Sequence, residues 1–242
     1  MKKLIIALML FATPMLSMGA GGGAHLDDAN VDVSDKESLQ RGFKYFVNYC
    51  LSCHSAKYQR FERTAVDLGL TFEDVKQNLM FTADKIGSTM DIALDAEEAN
   101  GYFGVTPPDL SVITRARGSD WVYTYLRSFY LDDSKPMGIN NIVFPDVGMP
   151  HVLWELQGWQ EARFTKGEDG KMHFEKFELV KAGSMTPEKF DGAMHDLVNF
   201  MTYLGDPSQE QRKALGVKVI LFLLVLFVLA YLLKKEYWKD IH

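Results

Sequence analysis

Cysteine is scarce in this chain: its 242 residues include two, Cys50 and Cys53. A structural zinc site needs four ligands, and no second cysteine pair is present to complete one. A thioredoxin-type redox pair would follow a strand and open a helix. Here the pair ends a helix-like stretch, and His54 follows at once. The sequence also lacks an internal repeat, so zinc modules, thiol redox enzymes and repeat folds are disfavoured.

Positive charge is in deficit as well. The formal net charge of the chain is −6. Residues 1–20 carry a charge of +2 and residues 208–242 a net charge of +3, so residues 21–207 carry a net charge of −11. A domain with this balance repels nucleic acid and attracts basic partners. No nucleic-acid partner is therefore expected.

The chain does contain a C-x-x-C-H motif, Cys50-Leu51-Ser52-Cys53-His54. This spacing is the attachment signature of a c-type haem. Two thiols one helical turn apart can reach the two vinyl groups of one porphyrin, and the adjacent histidine then lies under the iron as an axial ligand. The motif predicts one covalently attached haem c, bound through Cys50, Cys53 and His54.

The second axial ligand decides between electron transfer and ligand chemistry. A methionine thioether keeps the iron six-coordinate and raises its potential, which suits an electron carrier. Met149 lies between Gly148 and Pro150, in an irregular segment that can bring a side chain over a flat ring. Met137 has a similar setting and His151 is a third candidate, so the residues alone favour Met149 without excluding the others.

The two ends of the chain predict export and anchoring. Residues 1–24 combine two lysines, a short apolar run and a small-residue exit, which predicts a signal peptide cleaved after Ala20 or Ala24. An uncleaved N-terminal anchor is the alternative. Residues 208–236 contain an uncharged apolar run that predicts one transmembrane helix.

The orientation of that helix follows from its flanks. Lys234, Lys235 and Lys239 surround its C-terminal end together with Tyr237 and Trp238. Basic residues mark the cytoplasmic side, and aromatic residues mark the interface. We therefore expect a haem domain over 25–207 in the periplasm of a bacterium, an anchor in the inner membrane, and a cytoplasmic tail over 237–242.

Between the ends, the pattern indicates a mainly α domain with long loops and a small hairpin. Ser34-Asp35-Lys36-Glu37 predicts a capping box for a helix that delivers Cys50 at its end. Further helices are expected from Thr71 to Phe81, from Trp121 to Tyr130 and after Thr186-Pro187. An irregular loop is expected over 131–151, a hairpin with a register break over 161–181, and a Ser208 cap on the anchor helix.

Three further features resemble the cytochrome c1 family, and together with the haem motif they span most of the chain. Thr106-Pro107-Pro108-Asp109-Leu110-Ser111 with Arg115-Ala116-Arg117-Gly118 is similar to the family's Pro-Pro-Asp-Leu-Ser and Arg-Ala-Arg segment. Gly148-Met149-Pro150 falls where the family has its axial methionine, although the family more often reads Met-Ala-Pro-Pro. The third feature is the C-terminal run 201–235, an amphipathic helix, an Asp-Pro break and one span.

The resemblance implies specific roles. Met149 would be the second axial ligand, Arg117 would pair with a haem propionate, and Pro108 would pack against the ring edge. It implies the redox subunit of a respiratory quinol–cytochrome c reductase, with cytochrome b, a Rieske iron–sulfur protein and a c-type cytochrome acceptor as partners. No independent catalytic site is expected. The alternatives are an anchored cytochrome serving a terminal oxidase, and a haem enzyme or sensor with a labile sixth ligand.

Overall fold

The computed structural model describes residues 25–92, 94–167 and 170–241. The expected signal peptide, residues 1–24, lies outside these described residues, together with its cleavage points after Ala20 or Ala24. The described part of the chain is mainly helical with long connections, one larger hairpin and a long apolar C-terminal helix. The predicted fold class is therefore confirmed.

The helices follow one another along the chain with irregular segments and short strands between them. In order they are α1 Lys36–Tyr45, α2 Phe61–Leu68, α3 Phe72–Asn78, α4 Ala96–Phe103, α5 Ile113–Arg117, α6 Ser119–Arg127, α7 Trp154–Gln157, α8 Pro187–Gly205 and α9 Gln209–Tyr237.

The strands form antiparallel pairs, each within its own two-stranded sheet. They are β1 Ala56–Arg60 with β2 Thr89–Met90, β3 Phe129–Leu131 with β4 Ile139–Asn141, and β5 Gly158–Lys166 with β6 Met172–Ala182. The third pair is the predicted hairpin. Its register shifts between Arg163 and Phe164, which agrees with the expected break.

Helix α1 begins one residue later than the sequence pattern indicated. The side chain of Asp35 accepts from the backbone N–H of Ser38 at 3.0 Å and caps the helix, whereas the Ser34 hydroxyl donates to Asp32. After Tyr45 the helix continues as a π-helical turn, Phe46–Cys50. A π-helical turn inside a helix often marks a functional site, and here it brings Cys50 to the helix end.

The core is built where α1 crosses α8. Thr186 caps α8 through its side chain, and Pro187 occupies the first turn, where a missing N–H costs nothing. The rings of Phe43 and Phe200 stack at 5.0 Å between the two helices. One apolar stripe of α8 is buried along its length, at Phe190, Met194, Leu197, Val198, Met201 and Leu204.

Two predicted helices are shorter than expected. The Thr71 cap is confirmed, since its hydroxyl accepts from Asp74 N–H, but α3 ends at Asn78 rather than Phe81. Helix α6 ends at Arg127 because Phe129 already pairs with Asn141 in the β3–β4 ladder. The predicted loop 131–151 therefore contains one short strand that its own sequence does not signal.

Helix α9 is 29 residues long, its most apolar 18-residue stretch has a mean hydropathy of 2.8, and none of that stretch is buried within the chain. Its length and composition suffice to cross a membrane. The expected Ser208 cap is wrong, because the Ser208 side chain makes no capping hydrogen bond. Asp206 instead holds the start of the helix, through an ion pair with Arg212 at 2.5 Å.

Candidate haem site

A cavity of about 500 Å³ lies between α6, the haem-motif turn and two loops. Apolar and aromatic side chains form most of its wall, which is typical of a site for a large flat ligand. All six sequence-predicted site residues line it: Cys50, Cys53, His54, Pro108, Arg117 and Met149. A second depression of about 580 Å³ is shallower, lies beside Phe81 and Ile92, and contains none of these six residues, so it is not the candidate site.

The two cysteines lie at one end of the cavity in a tight turn. The N–H groups of Cys53 and His54 both donate to the carbonyl of Cys50, at 3.1 and 2.9 Å. Burial, with a smaller contribution from Cys53, raises the pKa of Cys50 to about 12. A buried thiol with a raised pKa is a poor thiolate nucleophile, which argues against a dithiol redox role for the pair.

His54 is held in one orientation by a backbone contact. Its Nδ1 lies 2.8 Å from the carbonyl oxygen of Pro108, and because a carbonyl only accepts, Nδ1 carries the hydrogen. Burial lowers the pKa of His54 despite the opposing effect of this bond. The imidazole is therefore neutral, with Nε2 left as the lone-pair nitrogen. A histidine metal ligand is normally oriented by such a hydrogen bond on its other nitrogen.

The Pro-Pro-Asp-Leu-Ser segment holds the haem-motif turn in place. Asp109 accepts from the Ser55 hydroxyl at 2.7 Å and from the Lys57 N–H at 2.9 Å, and Leu110 N–H donates to the Ser55 carbonyl at 2.8 Å. Partial burial opposes ionisation of Asp109, but donors from Ser111, Lys57 and Ser55 outweigh it and hold the pKa of Asp109 below its usual range. The segment thus supplies both the acceptor for His54 and the anchor for the residues after it.

Met149 lies on a loop whose backbone is held by a hydrogen bond to a side-chain amide. Asn140 Oδ1 accepts from the N–H of Asp146 at 2.9 Å, and Asp146 has a positive φ of 60°. A Cβ atom at Gly148 would lie 2.9 Å from Val105 Cγ2. The absence of a side chain at Gly148 therefore lets the methionine loop approach Val105, which also lines the cavity.

The other two candidates for the second ligand do not line this cavity. Met137 is 38% exposed on the surface. His151 is 5% exposed, with its ring stacked on Phe129 at 5.1 Å and edge-on to Trp159. The structure therefore brings Met149 together with the haem motif, and it separates Met137 and His151 from that motif.

The two arginines of the Arg-Ala-Arg segment point to different partners. Arg117 lines the cavity with its guanidinium 5.2 Å from the ring centre of Trp121. Among the described residues no carboxylate forms an ion pair with it. Arg115 instead pairs with Asp206 at 3.4 Å. Of the two, Arg117 is thus the arginine that lies at the cavity.

Sequence reasoning missed Tyr125, Asn140 and Asn141. Tyr125 lines the cavity and donates a hydrogen bond from its hydroxyl to Met149 Sδ at 3.3 Å. Burial raises the pKa of Tyr125 above its ordinary value, so the phenol keeps its proton and can donate. The aromatic spacing of Trp121 and Tyr125, four residues apart on one helix face, was the available signal.

Comparison with known proteins agrees with this arrangement. The chain matches the model of the Cytochrome C1 family over residues 28–91 and 80–241. It is 50% identical to cytochrome c1 of Allochromatium vinosum over 244 residues, which covers 100% of both chains. It is 49% identical to a protein of Nitrosomonas europaea named ammonia monooxygenase gamma subunit, covering 100% of this chain and 98% of the other.

A third relative is named for two components. Cytochrome b/c1 of Bradyrhizobium diazoefficiens is 28% identical over 249 residues, covering 86% of this chain and 34% of that protein. The family match over nearly the whole chain and the full-length 50% identity leave one conclusion. The chain belongs to the cytochrome c1 family, the membrane-associated c-type cytochromes of the cytochrome bc1 complex.

Proposed function

We propose that this chain carries one covalently bound haem c and transfers electrons from a Rieske iron–sulfur protein to a c-type cytochrome. The observation that carries the proposal is the cavity shared by Cys50, Cys53, His54 and Met149. When bound, the haem supplies a one-electron couple between iron(III) and iron(II). The protein supplies its position, its potential and a docking face.

Each residue has a role that its surroundings support. Cys50 and Cys53 would hold the haem through thioether bonds, and His54 would offer the iron the lone pair of Nε2 while Pro108 holds Nδ1. Met149 would bind the haem iron through its thioether sulfur, a ligand that raises the potential. Arg117 binds a haem propionate through its guanidinium, which forms charge-assisted hydrogen bonds with carboxylates.

The same proposal assigns the topology. The haem domain, 25–207, lies in the periplasm of a bacterium after cleavage of the signal peptide behind Ala20 or Ala24, and helix α9 anchors it in the inner membrane. The lysines at 234, 235 and 239 favour a cytoplasmic C-terminus. Cytochrome b is the expected neighbour of the anchor, because the family works within the bc1 complex and one relative is named for both components.

The Nitrosomonas europaea relative supports a second candidate, a subunit of an ammonia monooxygenase. Purification of the tagged full-length protein in mild detergent separates the two. We expect cytochrome b and a Rieske protein to co-purify, with quinol reducing the haem of the complex. Recovery with ammonia-oxidising polypeptides and without cytochrome b would support the second candidate and contradict the first.

The axial assignment has its own test. Met149→Leu keeps the volume but removes the sulfur, so the oxidised protein should lose its Met–iron charge-transfer band and the potential should drop sharply. Met137→Leu is the matched control and should retain both. If Met149→Leu keeps the band and Met137→Leu loses it, the assignment is wrong.

A further inference from the structure

The hydroxyl of Tyr125 has a specific partner inside the cavity. Its oxygen lies 3.3 Å from Met149 Sδ, and the hydroxyl is the donor. Among the described residues this is the hydroxyl's one hydrogen bond. A thioether sulfur is a weak acceptor, so a phenol is not expected to choose it unless the surroundings fix the contact.

Aromatic neighbours fix the plane of the Tyr125 ring. Trp121 stacks on it at 5.1 Å with an angle of 8° between the planes, and Phe129 meets it edge-on at 5.2 Å. All three lie on one face of α6 and the strand that follows. The ring therefore has little freedom to turn its hydroxyl away from the sulfur.

The buried side-chain amide of Asn141 connects the backbone of Tyr125 to the methionine loop through hydrogen bonds. Asn141 is 1% exposed, and its Nδ2 donates to the carbonyl of Tyr125 at 2.8 Å. Its Oδ1 accepts from the N–H groups of Val143 and Phe144, at 2.9 and 3.1 Å. One side chain thus fixes the helix that carries Tyr125 relative to the start of the loop that carries Met149.

We propose that Tyr125 is a positioning residue that tunes the haem potential, by holding Met149 in place and by donating a hydrogen bond to its sulfur. The inference rests on the proposed axial role of Met149. A hydrogen bond to the sulfur withdraws electron density from the lone pair offered to the iron. The weaker donor stabilises iron(III) less, so the reduced state is favoured and the potential is raised.

Tyr125→Phe in the haem-loaded, detergent-solubilised protein tests the sign. At the wild-type midpoint, the ratio of reduced to oxidised haem should fall about two-fold or more, the order expected for one hydrogen bond. The Met–iron band of the oxidised protein should persist to higher pH, because the sulfur then binds iron(III) more strongly. Tyr123→Phe is the matched control: it lies on the same helix, its hydroxyl contacts the Asp191 carbonyl, and it should change neither readout.

A second variant separates hydrogen bonding from packing. 3-Fluorotyrosine at position 125, placed by amber suppression, nearly keeps the ring volume and makes the phenol a stronger donor. The reduced fraction should then rise, opposite to Tyr125→Phe. Shifts of the same sign for both variants, or none in either, would overturn the inference.

The Met149→Leu variant distinguishes failure of the axial assignment of Met149 from failure of the positioning role of Tyr125. If it retains the Met–iron band, the axial assignment fails and takes the Tyr125 inference with it. If it loses the band while Tyr125→Phe leaves potential and band unchanged, the axial role stands and the Tyr125 inference alone is refuted.

Discussion

Gly42 lies where α1 crosses α8, and replacing it with alanine should destabilise the haem domain. A Cβ atom built at this position would lie 2.0 Å from the carbonyl oxygen of Asp196 and 2.7 Å from Phe200 Cβ. The first of these is a backbone atom of the opposite helix, so no rotamer change can remove the clash. The helices would have to separate at the point where Arg41 and Asp196 form an ion pair at 2.6 Å.

The expected magnitude is the difference of two effects. Overpacking typically costs about 1–3 kcal/mol and occasionally more, and a clash with backbone that cannot move aside calls for the upper end, about 3 kcal/mol or more. Alanine gains about 1 kcal/mol over glycine in helix propensity. The net loss is therefore about 2 kcal/mol or more, which corresponds to a fall in Tm of roughly 4–8 °C for a domain of this size. The stacked pair Phe43 and Phe200 would be disturbed along with the crossing.

Thermal unfolding of the haem-loaded protein in detergent, followed by circular dichroism at one scan rate, measures the change. Gly192→Ala is the matched control because it lies on α8 and an added Cβ would meet nothing within 4 Å. The Gly192→Ala protein gains the higher helix propensity of alanine without a steric clash, so its Tm should rise by roughly 2–4 °C. A Gly42→Ala protein with a Tm equal to or above that of Gly192→Ala would refute the argument.

Two further predictions concern the haem-motif turn and the anchor. Asp109→Asn should lower the unfolding free energy by about 1–3 kcal/mol at neutral pH, since the amide nitrogen cannot accept a hydrogen bond. Because the pKa of Asp109 is lowered in the folded state, its contribution is present above the unfolded pKa and is lost as pH falls through the folded value. The two proteins should therefore converge in strong acid, and equal urea midpoints at neutral pH would contradict this. Truncation after Pro207 should release a haem-bearing soluble domain into the wash of isolated membranes, and retention in membranes without the other subunits would indicate an N-terminal anchor.

The haem motif could be predicted from the sequence because its chemistry needs contiguous residues. Cys50, Cys53 and His54 must be neighbours along the chain to meet one porphyrin, and the structure gathers them at one end of the cavity. The helix caps at Thr71 and Thr186 also depend only on residues close by in the sequence, and both are confirmed. The C-terminal helix followed from the run of uncharged residues alone.

Features that depend on distant partners were not predictable in this way. Asn141 is an unremarkable polar residue in the sequence, yet it is buried and joins Tyr125 to the methionine loop. Helix α6 ends early because the residues after it form a ladder with partners eight to twelve positions further along the chain, which no local propensity encodes. The Ser34 and Ser208 caps were wrong for a related reason, since neighbouring aspartates supply the stabilising oxygens.

The Arg-Ala-Arg segment links the cavity to the membrane helix. Arg117 lines the cavity, while Arg115, two residues earlier on the same short helix, pairs with Asp206. Asp206 is also paired with Arg212 in the first turn of α9, and its side chain is only 14% exposed. A carboxylate shared by two arginines resists rotation more than a single exposed pair does, because breaking it would leave two cations close together. A haem held by Arg117 would therefore be coupled, through residues 115–117 of α5 and one carboxylate, to the direction in which α9 leaves the domain. In the proposed membrane topology, that coupling would set the height of the haem above the bilayer.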